Sequence, residues 1–254
     1  RDAGWLGDGI AASRYVSGEG TNMVSIAFSG AYCSGIRDFD VASAYKAALK
    51  NELEWQGRLE GAGKMDVRQF AEKGYVPYND EIYFGTSDKG SAFSASHTLE
   101  YSFSSYAVAQ WAKALGKIDD YKKLMDLSTG WTKLFDDTMK VIRPRMADGR
   151  FIENFNPLEP WRGFQEGNAI QYTFFVPQDP VGLIRKVGKD LFNQRLDSIF
   201  VEARKSVFGG GKVAYAFSGL QSPYNHGNQP NLHISWLFNY SGKPYLTQKW
   251  TRLI

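Results

Sequence analysis

Thr21-Asn22-Met23-Val24-Ser25-Ile26-Ala27-Phe28-Ser29-Gly30-Ala31-Tyr32-Cys33-Ser34 is a run without a single charge. Met23, Val24, Ile26, Ala27, Phe28, Ala31 and Tyr32 spread apolar surface round nearly the whole of a helical wheel, and a helix apolar on nearly all sides is an inner one. Cys33, within this run, reads as a buried small hydrophobe. The next run, Val41–Leu53, is different. Val41, Ala44, Tyr45, Ala48, Leu49 and Leu53 follow helical spacing while Lys46, Lys50 and Glu54 take the other side, and Asp40 stands as the N-cap. An inner helix followed by an amphipathic outer one is the unit from which the rest of the chain can be read.

The unit recurs. Residues 97–115 are mostly apolar or small, with Gly116 as a helix stop. Residues 119–135 set Tyr121, Leu124, Met125, Trp131 and Phe135 against Lys122, Lys123, Asp126 and Lys133. Residues 167–176 are apolar and 189–205 amphipathic, through Phe192, Leu196, Ile199, Phe200 and Ala203. Residues 231–240 are apolar, and a further helix begins at Pro244. Four inner–outer alternations predict an all-α toroid of stacked helix pairs. The one strand signal is a short hairpin near 141–152, turning at Asp148-Gly149. No linker or low-complexity tract interrupts residues 1–254, which read as a single domain. The connections 56–96, 136–165 and 206–228 are long, and rich in aromatics, Gly and Pro, as expected of ordered functional loops.

Composition closes off several function classes. A net charge of +3 on scattered Lys and Arg gives no basic face for nucleic acid. No run approaches the roughly 20 apolar residues of a membrane span. One cysteine excludes an intramolecular disulfide and any multi-cysteine metal site. The histidines at 97, 226 and 233 have no metal-ligand spacing, Gly209-Gly210-Gly211-Lys212 lacks the pattern of a phosphate loop, and no calcium loop of EF-hand type occurs. Aromatic residues make up 15% of the chain, which suits a large core first and sugar-binding surfaces second. The chain starts at Arg1-Asp2-Ala3 without a methionine and stops within a helical pattern at Ile254, so both ends read as cut.

Three constellations carry candidate chemistry. Gly163-Phe164-Gln165-Glu166-Gly167-Asn168-Ala169-Ile170-Gln171-Tyr172 places a carboxylate between two glycines ahead of an apolar run, with two amides within one helical turn. Trp161, Phe164, Ile170 and Phe174 could raise the pKa of Glu166 toward that of a general acid, whereas a helix N-terminus would favour its anion. Residue pattern leaves Glu166 balanced between a capping glutamate and an acid. Tyr224-Asn225-His226-Gly227-Asn228-Gln229-Pro230 gathers hydrogen-bonding side chains suited to a polar pocket rim or to local turn bonds, and His226 could orient a substrate hydroxyl. His233 reads as a satisfied core histidine. Glu100, on an inner helix, needs partners, and Arg143 and Arg145 are the candidates for a structural ion pair.

These motifs together resemble glycoside hydrolase family 92, the calcium-dependent exo-acting α-mannosidases. The matching pieces run in order: Gly74-Tyr75-Val76-Pro77, Thr98-Leu99-Glu100-Tyr101, residues 112–117, Arg143-Pro144-Arg145 with Asp148-Gly149, residues 163–172, His226-Gly227-Asn228-Gln229-Pro230 and Asn239-Tyr240-Ser241-Gly242-Lys243-Pro244. The resemblance implies part of an (α/α)6 catalytic barrel, ordinarily preceded by a β-sandwich, that hydrolyses terminal α-mannosides of glycans with inversion. It places the general acid at Glu166 and the general base in a later Gly-Asn-Asp-Asp stretch that these residues do not contain, so the 254 residues alone are expected to be inactive. It implies substrate contacts at Trp161, Asn168, Gln171, His226, Asn228 and Gln229, with Asn168, Gln171 and Asn228 as calcium donors. A secreted, periplasmic or cell-surface location is implied too, and exposed faces of an incomplete barrel would favour oligomers. Four positions depart from the family pattern. Gln229 replaces the usual Glu, Ser104 and Ser105 replace paired acids, and Ile170 replaces a common Trp. The departures keep open a non-catalytic carbohydrate-binding or scaffold member, or another α/α-toroid glycosidase or lyase.

Overall fold

The computed structural model describes residues 4–7, 9–11, 14–16, 22–59, 62–81, 89–206 and 219–254. The Gly209–Lys212 stretch and parts of the long connections lie outside these residues. The chain is mainly helical. It falls into two compact units, one of residues 1–134 with 145–150 and one of residues 135–144 with 151–254.

In the first unit, strands β1 (Gly9–Ala11) and β2 (Arg14–Val16) pair antiparallel, followed by α1 (Met23–Cys33), α2 (Val41–Leu53), α3 (Val67–Lys73), α4 (Ser94–Ala114), α5 (Ile118–Leu127) and the single turn α6 (Trp131–Leu134). Asp40 caps α2 as expected, its carboxylate accepting from Ser43 N at 3.1 Å. Gly116 ends α4 at φ +73°, with Lys117 N donating to Ala112 O at 2.8 Å. Helix α4 is the axis of the unit: fifteen of its twenty-one residues are buried. Small residues let neighbours approach it from all sides, and some of its buried hydroxyls return to its own backbone, as Thr98 does to Ser94 O and Ser102 to Thr98 O. Trp111 centres an aromatic cluster with Phe28, Tyr32, Phe39 and Tyr45, at centroid distances of 5.3–6.5 Å.

Beside that cluster is a wholly buried ionic network. The Lys64 ammonium and the Glu52 carboxylate, both fully buried, form an ion pair. Ser105 Oγ donates to Glu52 at 2.6 Å and Asn22 Nδ2 donates to its other oxygen at 2.6 Å. Asn51 extends the network to Asn22 and to both backbone groups of Leu6. Burial pushes the Lys64 pKa down, against the opposing pull of Glu52.

Several expectations are corrected. α1 is not buried all round: Met23 is exposed and the buried positions are Ser25 and Ser29, because that face carries Asn22 and Ser25 toward the Glu52 network. Cys33 is exposed at the last turn. The helix expected over 119–135 is broken. Ser128 and Thr129 bond back to Met125 O and Asp126 O, and Gly130 sits against Gly74 O where a Cβ would lie 2.4 Å away. Arg143 pairs with Asp136, at 3.0 Å, rather than with Glu100, since β3 (Phe135–Asp136) and β4 (Val141–Ile142) form an antiparallel ribbon that carries both partners. The Asp148-Gly149 turn is where it was expected, with Met146 N donating to Arg150 O at 2.8 Å.

The second unit continues with α7 (Ala169–Tyr172), α8 (Pro180–Val187), α9 (Lys189–Ser206) and α10 (Pro244–Leu253). α9 buries the predicted face: Phe192, Leu196, Ile199, Phe200 and Ala203. Trp250 of α10 stacks on Phe200 at 5.2 Å and donates to Asp197 at 2.6 Å. The inner segments of this unit are shorter than their sequence pattern. α7 is one turn, and residues 234–239 are 3-10 helix.

Removing one member of a buried ion pair leaves the other charge uncompensated. Glu52→Gln is therefore expected to lower stability by about 3–5 kcal/mol in urea titrations, and the joint change Glu52→Leu with Lys64→Met to recover most of that loss.

Candidate active site

Residues 161–172 of the second unit make an unusual turn. Trp161 and Glu166 both have left-handed backbones, φ +69° and +52°, a conformation costly for residues with a Cβ. Gly163 has φ +93°, and a Cβ there would lie 2.2 Å from Pro144 Cγ, so only glycine fits. The strain is held by bonds to three successive carbonyls. Tyr172 OH donates to Gln165 O at 2.7 Å, Asn228 Nδ2 to Glu166 O at 2.9 Å, and Trp161 N to Gly167 O at 3.2 Å. The main chain of Glu166 is thereby pinned on both sides while its side chain stays half-exposed.

The cap of α7 is Asn168, not Glu166. Asn168 Oδ1 accepts from Gln171 N at 3.2 Å. The balance between capping and chemistry at Glu166 thus loses its capping side. The other end of Asn168 donates to Leu220 O and Ser222 O at 2.8 and 2.9 Å. Gln171 Nε2 donates to Gly219 O and Ser222 O at 2.8 and 2.7 Å. The two amides clamp the 219–222 loop. Gly167 leaves room for this, since a Cβ there would come within 2.7 Å of Gln171 Oε1. Ile170, Thr173 and Phe174 face elsewhere, onto an apolar cavity of about 470 Å3 shared with Val141, Val187 and Ile199.

The second motif lies against the first. Asn228 is buried and holds Glu166; His226 and Gln229 are exposed. His226 Nδ1 lies 2.5 Å from the hydroxyl of buried Tyr224. Tyr172 and Tyr224 were not singled out by sequence, although Tyr224 stands only two residues before His226. His233 is the core histidine expected, its Nε2 3.2 Å from Phe174 O and its pKa pushed down to about 4 by burial.

A calcium ion takes six to eight oxygens, several of them carboxylates. The amide nitrogens of Asn168, Gln171 and Asn228 donate to protein carbonyls, so a cation would meet their oxygens: Asn168 Oδ1 already accepts from Gln171 N, whereas Gln171 Oε1 is buried without a hydrogen-bond partner. No cluster of three His, Cys, Asp or Glu exists among the described residues. Three amide oxygens alone fall short of the six to eight that calcium takes, and Asn168 in addition caps α7 and clamps the 219–222 loop.

The whole chain, residues 1–254, matches the glycosyl hydrolase family 92 catalytic domain. The chain belongs to that family. It is similar to an uncharacterized secreted glycosidase of Arthroderma benhamiae, at 27% identity over 97% of this chain and 32% of the relative. Among solved structures it resembles a family GH92 α-mannosidase from Bacteroides thetaiotaomicron, with 31% identity and a TM-score of 0.75 over 91% of this chain and 28% of that one. A family GH92 inverting mannosidase from the same organism matches with 25% identity and a TM-score of 0.79, over 97% of this chain and 33% of that one. The mainly helical architecture is of the (α/α)6 type of these neighbours. The chain thus spans about a third of the length of each relative.

Gly163→Ala is expected to destabilise the protein by about 1–3 kcal/mol through backbone strain alone, with the Pro144 clash added, as read from urea midpoints. His233 gives a pH dependence of defined sign. Unfolded, it returns to its ordinary pKa of 6.5, so between pH 6.5 and about 4 the unfolded chain binds a proton that the folded chain does not. Its contribution is full above pH 6.5, falls as pH drops, and levels off below about 4, a loss on the order of 3 kcal/mol. His233→Gln is expected to flatten that part of the stability profile.

Proposed function

We propose that the full-length protein is an exo-acting, inverting α-mannosidase that releases terminal α-linked mannose from glycans, with Glu166 as its general acid. The observation that carries this reading is the strained, thrice-tethered backbone that presents the half-exposed carboxyl of Glu166 beside the His226–Gln229 loop. Strain held at such cost by surrounding bonds is a mark of functional positions. The carboxyl is not the cap of α7, which Asn168 supplies, so capping does not explain the carboxylate. Family membership supplies the reaction class, and the solved relatives named as mannosidases support the sugar.

In this mechanism the Glu166 carboxyl protonates the glycosidic oxygen as the C1–O bond breaks. A second carboxylate, roughly 6.5–9.5 Å away, deprotonates a water attacking C1 from the opposite face, which inverts the anomeric centre. The family resemblance places that base in a Gly-Asn-Asp-Asp stretch absent from these 254 residues. His226, Gln229 and Trp161 are proposed to contact the glycan, and Asn168, Gln171 and Asn228 hold the turn and its loop. Calcium dependence is proposed for the full-length protein only. A secreted location is proposed from the relative named as a secreted glycosidase.

The departures at Ser104 and Ser105 have a structural account. Both hydroxyls are buried in the first unit, Ser104 donating to Tyr101 O and Ser105 to Glu52. A carboxylate at 105 would meet the Glu52 carboxylate beside a single ammonium. These serines therefore do not by themselves favour a non-catalytic member.

In the full-length protein, Glu166→Gln is expected to lower kcat about 100- to 10,000-fold on an α-mannoside with a poor leaving group, and far less on an activated aryl mannoside. Unchanged turnover on the poor leaving group would remove Glu166 from the acid role. The 254-residue chain by itself is expected to release no mannose, and a chelator to abolish release by the full-length protein.

A further inference from the structure

Tyr224 and His226 belong to one loop but to different environments. Tyr224 is fully buried, with its ring 4.7 Å from Phe200 of α9, so its hydroxyl is fixed by the core. His226 is exposed at the loop surface, with Nδ1 turned back to that hydroxyl at 2.5 Å and Nε2 left for other contacts. Burial raises the Tyr224 pKa far above the ordinary tyrosine value, so the phenol keeps its proton, and lowers that of His226, so the ring is neutral near pH 7. A neutral imidazole has one N–H and one acceptor nitrogen, and which nitrogen is protonated follows from the bond made by the other. Of the two arrangements, phenol O–H to imidazole nitrogen pairs the stronger donor with the stronger acceptor.

We propose that Tyr224 is a positioning residue that fixes the tautomer of His226: its hydroxyl donates to Nδ1, the single ring proton lies on Nε2, and the nitrogen turned away from Tyr224 is a permanent hydrogen-bond donor. A sugar meeting this nitrogen is then read through an oxygen that accepts, and Tyr224 acts on the glycan without touching it. The tautomer rests on the 2.5 Å contact and on the donor strength of the phenol, whereas its use against a glycan rests on the mannosidase reading.

Two-bond nitrogen–proton NMR spectra of the three histidines test the first part, with His226 assigned by its loss in His226→Gln. The expected result is a His226 ring with Nδ1 unprotonated and Nε2 protonated, and a shift toward a mixture of tautomers in Tyr224→Phe, which keeps the ring on Phe200. A ring protonated at Nδ1, or an unchanged tautomer in Tyr224→Phe, would overturn the proposal. In the full-length protein, Tyr224→Phe is expected to lower kcat/KM for an α-mannoside about tenfold, the weight of one neutral hydrogen bond, chiefly through KM. His226→Gln, which can place an N–H near the Nε2 position, should retain more activity than His226→Asn, which places one near Nδ1. These two variants leave the core untouched, so they decide the matter if Tyr224→Phe fails to fold. Equal losses in the two, or an unchanged kcat/KM in a folded Tyr224→Phe, would count against the positioning role. If the unaltered full-length protein releases no mannose, the mannosidase reading fails while the spectra still decide the tautomer.

Discussion

Three consecutive peptide carbonyls, those of Gln165, Glu166 and Gly167, accept hydrogen bonds from a tyrosine hydroxyl, an asparagine amide and a backbone N–H. The candidate site depends on this constraint. A left-handed glutamate is disfavoured by its own Cβ and persists only where surrounding bonds over-determine it. The donors come from separate pieces of chain: α7 through Tyr172, the His226 loop through Asn228, and the upstream turn through Trp161. Each gives up one hydrogen-bonding group, and together they aim one carboxyl. The Gly163 contact with Pro144 sets the entry to the turn in the same way, by leaving space for no side chain.

The amides near the carboxylate divide their work differently from what their chemistry alone suggests. Asn168 and Gln171 commit their nitrogens to the carbonyls of Gly219, Leu220 and Ser222. They convert a single helical turn into an anchor for the loop that carries Tyr224 and His226. An exposed imidazole at the end of an anchored loop, oriented by a core tyrosine, is a more defined instrument than a free surface histidine.

The first unit shows how a departure from family pattern can be absorbed by packing. Ser105 bonds the buried Glu52 carboxylate while receiving the Lys64 ammonium at 3.2 Å. Asn22 satisfies the other carboxylate oxygen. A buried ion pair is tolerable only when its remaining hydrogen-bonding capacity is filled, and here serine and asparagine side chains fill it. The network joins the segment at Leu6, α1, α2 and α4 through polar contacts, beside the apolar packing around Trp111 and around Phe70 and Tyr101.

By itself, the sequence determined the helical class, the outer faces of α2 and α9, the cap at Asp40, the stop at Gly116 and the motif that carries Glu166. These rest on periodicity and on local chemistry within a few residues, which neighbouring positions report directly. Tertiary structure alone decided that Asn168 rather than Glu166 caps α7, that Arg143 turns to Asp136, that Cys33 is exposed and that Glu52 is buried on Lys64. It also decided the left-handed turn at Glu166 and the pairing of Tyr224 with His226. Each of these depends on a side chain's choice among several partners of similar chemistry. That choice is made by which segments are brought within hydrogen-bonding distance, and helical spacing carries no record of it.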